Sequence, residues 1–171
     1  IFISSLLKAE DDLDEIVDYC VEKNAKVIVC AGDDLYDSGV LEAREHLSPV
    51  MFLHKIGLLG RNCSVVGGIC LDRDDADLMA QVGASLIVCP TYSCGTGRGI
   101  PVISPALGKI KISLGTFDNR FNKSGSIIEE AKTLYLGTAA VMRRQNALSV
   151  GQLAEITGSD EESLFYALNL K

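Results

Sequence analysis

The feature that most constrains this chain is the order of its apolar runs. "IFIS", "AKVIVCAG", "CSVVGGI", "ASLIVCP" and "KIKISLGT" are short, rich in β-branched residues and separated by helical stretches. Near-continuous apolar runs of this length are expected of strands covered on both faces. No two are joined by a two-residue hairpin signal, so the strands are expected to lie parallel, linked by crossover helices. Two α/β architectures satisfy the pattern: an open doubly wound sheet, or part of a (β/α)8 barrel. Both place functional residues just beyond the carboxyl ends of the strands.

The intervening segments read as helices. "AEDDLDEIVDYCVEKN" carries Leu13, Ile16, Val17, Cys20 and Val21 at helical spacing. Asp11, Asp12 and Asp14 sit near its start, where they favour the helix dipole. "SGVLEAREHLSPVMFLHKIGLLG" is expected to hold two helices, the second opened by Pro49 and ended by Gly57 and Gly60. "DRDDADLMAQVG" is closed by Gly83. A Gly-rich loop is expected after the fourth strand, then a short helical turn around "SPALG". "GSIIEEAKTLYLGTAAVMRR" reads as one long helix, and "SVGQLAEITG" and "SDEESLFYALNL" as two more, each with a Ser near its N-cap. No repeat or low-complexity linker divides residues 1–171, which are read as a single domain.

Composition narrows the function classes. The net charge is −7, and the 16 Lys and Arg are scattered, so neither nucleic acid nor an anionic membrane is an expected partner. No apolar run approaches the length of a membrane span, and no secretory leader opens the chain. Six cysteines without a C-x-x-C pair read as free thiols in a reducing cytoplasm. Position 1 is Ile and not Met, so the chain is expected to be a fragment of a longer one. His46 and His54 are its only histidines, and both fall on expected helices.

The residues just past the strands are the site candidates: Ser4 and Ser5, Cys30, Gly67 and Gly68, Cys89 to Cys94, and Thr116 to Asp118. Asp118 suits a metal ligand or a general base; as a turn or N-cap carboxylate it needs no chemistry, and that is the commoner use. Cys30, Cys89 and Cys94 with Asp118 suggest a thiolate site for a soft metal, although buried Cys more often packs as a small hydrophobe. "CGTGRGI" offers backbone N–H groups and Arg98 to a phosphate, yet it lacks the Lys-Ser/Thr of a P-loop, and a plain βα loop is the preferred reading. Gly97, Arg98 and Thr116 are therefore candidates for binding a small ligand.

Several stretches also resemble a known family. "GASLIVCPTYS" followed by "GIPVISPALGKIKISLGT" resembles the late part of the amidohydrolase superfamily, in the branch of cytosine, guanine and methylthioadenosine/S-adenosylhomocysteine deaminases and chlorohydrolase-like enzymes. "HKIGLLG" and "LSVGQLAEITG" resemble that family's helix before a barrel strand and its helix after the last strand. The match runs from about the fourth barrel strand to just past the eighth. The resemblance implies the C-terminal half of a TIM-type (β/α)8 barrel, with one zinc or iron that lowers the pKa of a bound water for attack on an amidine-like carbon.

The same resemblance implies metal ligands that this sequence does not supply. The family's first-strand histidine pair would lie upstream of Ile1. Its fifth-strand histidine falls on Cys30, its sixth-strand histidine on Gly67, and a second histidine after that on Cys70. Its eighth-strand Asp falls on Phe117, with Asp118 one place later. The expectation is an amidohydrolase-like domain that has lost the metal-dependent site, so no cofactor is expected; zinc or iron is implied if the site is retained. Two alternatives stay open: part of an active aminohydrolase, cleaving C–N bonds of a nitrogen heterocycle or nucleoside, and an unrelated α/β domain binding a phosphorylated ligand at the Gly-rich loop. A half barrel leaves open edges and an uncovered inner face. The expected partner is therefore the N-terminal half of the same barrel or a second copy in a homodimer, with a small molecule as a further ligand.

Overall fold

The computed structural model describes residues 1–101, 103, 106 and 108–168. All five expected strands form: β1 (Phe2–Ile3), β2 (Val27–Cys30), β3 (Cys63–Val66), β4 (Ser85–Val88) and β5 (Ile112–Leu114). They make one parallel sheet in the order β1-β2-β3-β4-β5. This order separates the two architectures left open by the sequence. Right-handed crossovers that always step the same way place every connecting helix on one face, whereas a doubly wound sheet reverses its order at a switch point. The sheet is an arc of a barrel.

The helices are α1 (Leu13–Lys23), α2 (Leu35–Glu45), α3 (Pro49–Lys55), α4 (Arg73–Val82), α5 (Pro90–Gly95), α6 (Ile127–Met142), α7 (Val150–Thr157) and α8 (Glu161–Leu168). Local chemistry sets their ends. Asp34, Ser48, Asp72, Ser126 and Ser149 accept N-cap hydrogen bonds, and Ser149 forms a reciprocal capping box with Gln152. Pro49 opens α3, and Gly83 closes α4 in the left-handed conformation. The acidic run before α1 winds as a single 3-10 turn over Glu10–Asp12. One expectation needs correcting: the segment after β4 is not loop from its start, because Pro90 begins the six-residue α5. Of the turn expected around "SPALG", Ser104, Pro105 and Leu107 lie outside the described residues.

The pairing register sorts the side chains into two faces, because alternate residues of a strand point to opposite sides. Ile3, Val29, Val65, Leu86 and Ile112 are level with one another. They belong to the main core with Leu13, Leu41, Leu53, Met79, Leu134, Leu153 and Leu164 of the helices. On the other face, Cys30, Val66, Ile87 and Ser113 form one level, and Phe2, Ile28, Ser64 and Ser85 the next. This concave face is only partly covered. Phe2 is 57% and Ile28 38% exposed, and the Ser64 and Ser85 hydroxyls satisfy each other at 2.8 Å. Among the described residues its upper end is closed by a small second cluster of Cys30, Val66, Cys89 and Tyr92, with Ile87 against it.

Candidate functional site at the strand ends

The carboxyl ends of the strands bring together Cys30, Gly67, Cys89 and Phe117, as the sequence places them, but around an apolar and aromatic centre. Phe117 lies three residues past β5, just before the turn that begins at Asp118, with φ +57. Its ring stacks on Tyr92 of α5 at a centroid separation of 4.2 Å and meets Phe2 edge-on at 6.3 Å. Phe121 approaches Tyr92 edge-on at 6.2 Å. Burial pushes the Cys30 thiol up to about 12, with Asp33 adding to the effect and Arg98 opposing it. Burial likewise raises Cys89 to about 12, with help from Glu130 and Asp33. Both sulfurs are buried in the small apolar cluster with Val66 and Tyr92.

Gly67 is closed to any side chain. A Cβ built there would lie 2.5 Å from the Ala31 carbonyl oxygen and 3.1 Å from the Asp33 nitrogen, both backbone atoms at the end of β2. No ligand-bearing residue fits this position unless β2's end moves. Among the described residues, no group of three or more His, Cys, Asp or Glu is placed to hold a metal ion. His46 caps the carboxyl end of α2 and His54 lies in the last turn of α3; both are exposed and away from the strand ends. The donor set therefore does not fit a zinc or iron centre.

Asp118 takes the turn role. It accepts from the Arg120 backbone N–H at 2.8 Å and from the Arg120 Nε and Nη2 at 3.0 and 2.8 Å. That side-chain pairing holds its carboxyl below the usual range. Thr116 is half-buried, with no hydrogen bond of its side chain among the described residues. Gly97 is exposed with φ +75, and its N–H bonds the Cys94 carbonyl at 3.0 Å, closing α5.

Arg98 is tied to carboxylates. Its Nη1 donates to Asp33 Oδ2 at 2.8 Å and its Nε to Asp34 Oδ2 at 3.0 Å, while the guanidinium carbon lies 5.1 Å from the Tyr92 centroid. This cation–π and ion-pair arrangement joins the β4–α5 segment to the end of β2. Burial raises Asp33 despite Arg98. For Asp34 burial acts upward too, but the N–H groups of Tyr36 and Asp37 and the Arg98 contact outweigh it and hold it down. A phosphate at this guanidinium would meet two carboxylates. The cavity beside them, lined by Ser4, Cys30, Gly32, Asp33, Asp37 and Arg98 among others, is about 50 Å³. Small-molecule pockets run to roughly 300–1,000 Å³.

Three site residues were not anticipated from the sequence. Asp33 and Asp34 lie three and four residues past β2, and a carboxylate pair just past a strand is a readable signal. Glu130 of α6 carried none. It is fully buried and accepts from the Thr91 N–H at 2.9 Å, the Thr91 hydroxyl and Asn122 Nδ2 at 2.8 Å, clamping the start of α5 to α6.

The chain is similar in sequence to 5-methylthioadenosine/S-adenosylhomocysteine deaminases. It is 26% identical to that of Thermococcus kodakarensis over 121 residues, which are 70% of this chain and 28% of the relative. It is 27% identical to that of Halothermothrix orenii over 119 residues, 69% of this chain and 28% of the relative. The matched region thus spans less than a third of these relatives' length. No family model matches the chain. Among solved structures, the fold is similar to an adenosine deaminase from Xanthomonas campestris with bound zinc (TM-score 0.74, 16% identity, 86% of this chain and 36% of that one). It is similar also to an amidohydrolase from Brucella melitensis (TM-score 0.73, 17% identity, 92% and 35%). A zinc-complexed atrazine chlorohydrolase from Arthrobacter aurescens matches at a TM-score of 0.71 and 16% identity, over 85% and 34%. The resemblance to the amidohydrolase superfamily and its deaminase branch, and the TIM-barrel α/β fold it implies, are both borne out.

Proposed function

We propose that this chain is the C-terminal part of an amidohydrolase-type barrel that has lost the metal-dependent hydrolase site and serves as a binding or structural domain. The observation that carries the reading is Gly67, where backbone at 2.5 Å shuts out the side chain a metal ligand would need. The packing of Cys30 and Cys89 in an apolar cluster and the Phe117 ring stacked on Tyr92 support it. Its partner is proposed to be a strand-bearing segment, the N-terminal half of the barrel or a second copy. The half-exposed concave face and the edge strands β1 and β5, each paired on one side only among the described residues, support that assembly.

Metal analysis after incubation with zinc or iron(II) and exhaustive dialysis tests this reading, together with an assay for ammonia release from 5-methylthioadenosine and S-adenosylhomocysteine. The expected result is no stoichiometric metal and no release. One tightly held metal per chain, lost in Cys30→Ala or Asp118→Ala, establishes instead an active aminohydrolase part and overturns the proposal.

A further inference from the structure

A pocket outside the strand-end cluster has a chemistry of its own. At the amino ends of the strands, between the carboxyl end of α1 and the turn from α3 into β3, lies an open cavity of about 360 Å³. Small-molecule sites start at roughly 300 Å³. Cys20, Val27, Leu58 and Leu59 line it, and all are buried. They belong to the main core, so the pocket lies on the helix side of the sheet and not on its concave face. β2 and β3 are each paired on both sides, so it is also away from the open edges of the arc.

Two polar side chains at this pocket are held in place with hydrogen-bonding capacity unused. Arg61 is exposed, and its guanidinium has no ion pair or hydrogen bond among the described residues. Its stem is nonetheless packed. A Cβ added at Gly83 would lie 2.8 Å from Arg61 Cγ and 3.5 Å from its Nε, so the side chain runs across bare backbone. Asn24 caps α1 in the left-handed conformation at φ +48. Asn62 Nδ2 donates to the Asn24 Oδ1 at 2.6 Å and to the Asn24 carbonyl oxygen at 3.3 Å. These bonds fix the Asn24 amide and leave its Nδ2 without an acceptor among the described residues. No Asp or Glu lines the pocket among those residues, although the chain's net charge is −7.

We infer that this pocket takes a small carboxylic acid with an apolar tail, its carboxylate on Arg61 and the Asn24 amide and its tail against Val27, Leu58 and Leu59. The guanidinium fork matches a carboxylate through two parallel N–H···O bonds, and no acid in the lining competes for it. Charge alone is weak at an exposed site, so the apolar lining supplies most of the affinity, about fourfold per methylene buried. Gly67 and Phe117 lie at the opposite end of the sheet, so this binding does not depend on the loss of hydrolysis.

The test is an NMR titration of the unsubstituted chain at neutral pH, with octanoate as the probe and octanol as an uncharged probe with the same tail. Octanoate is expected to shift the amides of Asn24, Arg61 and Asn62 saturably and to give contacts from its tail to the Leu58 and Leu59 methyls. It is expected to bind about tenfold or more tighter than octanol. Hexanoate, with a shorter tail, is expected to bind about tenfold weaker than octanoate. Arg61→Ala is expected to abolish the preference for octanoate and to leave octanol binding unchanged. No saturable shift at millimolar octanoate, octanol binding as tightly, indifference to tail length, or shifts confined to the strand ends around Tyr92 each overturn the inference. So does an Arg61→Ala variant that keeps the preference; if that variant fails to fold, the comparison of probes on the unsubstituted chain decides alone. Metal content and ammonia release are untouched by either outcome, so failure here is distinct from failure of the proposed function.

Discussion

Glu130→Ala tests the clamp that ties the start of α5, and with it Tyr92, to the long helix α6. The substitution withdraws the acceptor of the Thr91 N–H, the Thr91 hydroxyl and the Asn122 amide; Glu130 and Asn122 are buried and Thr91 is half-buried. Asn122 Nδ2 keeps its bond to the Ser126 carbonyl at 2.8 Å, so Thr91 bears most of the loss. A buried donor left unsatisfied costs about 1–3 kcal/mol, and the missing side chain leaves a void as well. Alanine also removes the cost of burying a carboxylate, which offsets part of this. The net expectation is a loss of about 2–4 kcal/mol. For a chain of this size that is roughly 4–16 °C in melting temperature. Glu130→Gln keeps the shape and one acceptor but turns an NH2 toward a donor, and is expected to lose about 2 kcal/mol. Urea denaturation at neutral pH reads the order wild type, Gln, Ala. Amide exchange at Thr91 is expected to accelerate in both variants. An alanine variant within about 1 kcal/mol of wild type, or a glutamine variant less stable than the alanine, refutes the reasoning.

Two further outcomes follow from other sites. Gly67→Ala is expected to destabilise by at least about 2 kcal/mol, because the neighbour at 2.5 Å is backbone and cannot rotate away; a neutral result in urea denaturation would mean the end of β2 yields easily. Asp75 is buried at the start of α4, where burial raises its carboxyl although the Ser48 hydroxyl donates to it. A raised carboxyl favours folding while it is protonated, and that contribution fades as pH climbs through its folded pKa. Asp75→Asn is therefore expected to match wild type near pH ~3 and to become the more stable of the two toward pH ~7, measured by denaturation across that range; a gap that is constant or opens the other way contradicts the account.

How much of this was legible in the sequence depends on the range of the interaction. The five strands were, because apolar runs such as "AKVIVCAG" and "ASLIVCP" carry their signal locally. So were the N-cap at Ser149 and the left-handed Gly83. The barrel arc was left undecided against a doubly wound sheet, since strand order is a property of the assembled sheet. α5 was read as loop because a six-residue helix starting at Pro90 runs straight into glycines. At the site, Cys30, Gly67 and Phe117 were placed correctly at the strand ends, but what surrounds them was hidden. The Arg98 pairings with Asp33 and Asp34 span 65 and 64 positions, and Glu130 reaches Thr91 across 39. Such partners follow from the crossover connections and leave no local periodicity.

The close approach of Ala31 to Gly67 also couples two neighbouring strand ends. An imidazole, or any other side chain, cannot be placed at position 67 by one substitution alone, because its Cβ meets the Ala31 carbonyl first. The end of β2 would have to retreat beforehand, away from the partner strand it pairs with through Cys30 and Val66. Position 67 thus reports on its neighbour as much as on its own strand.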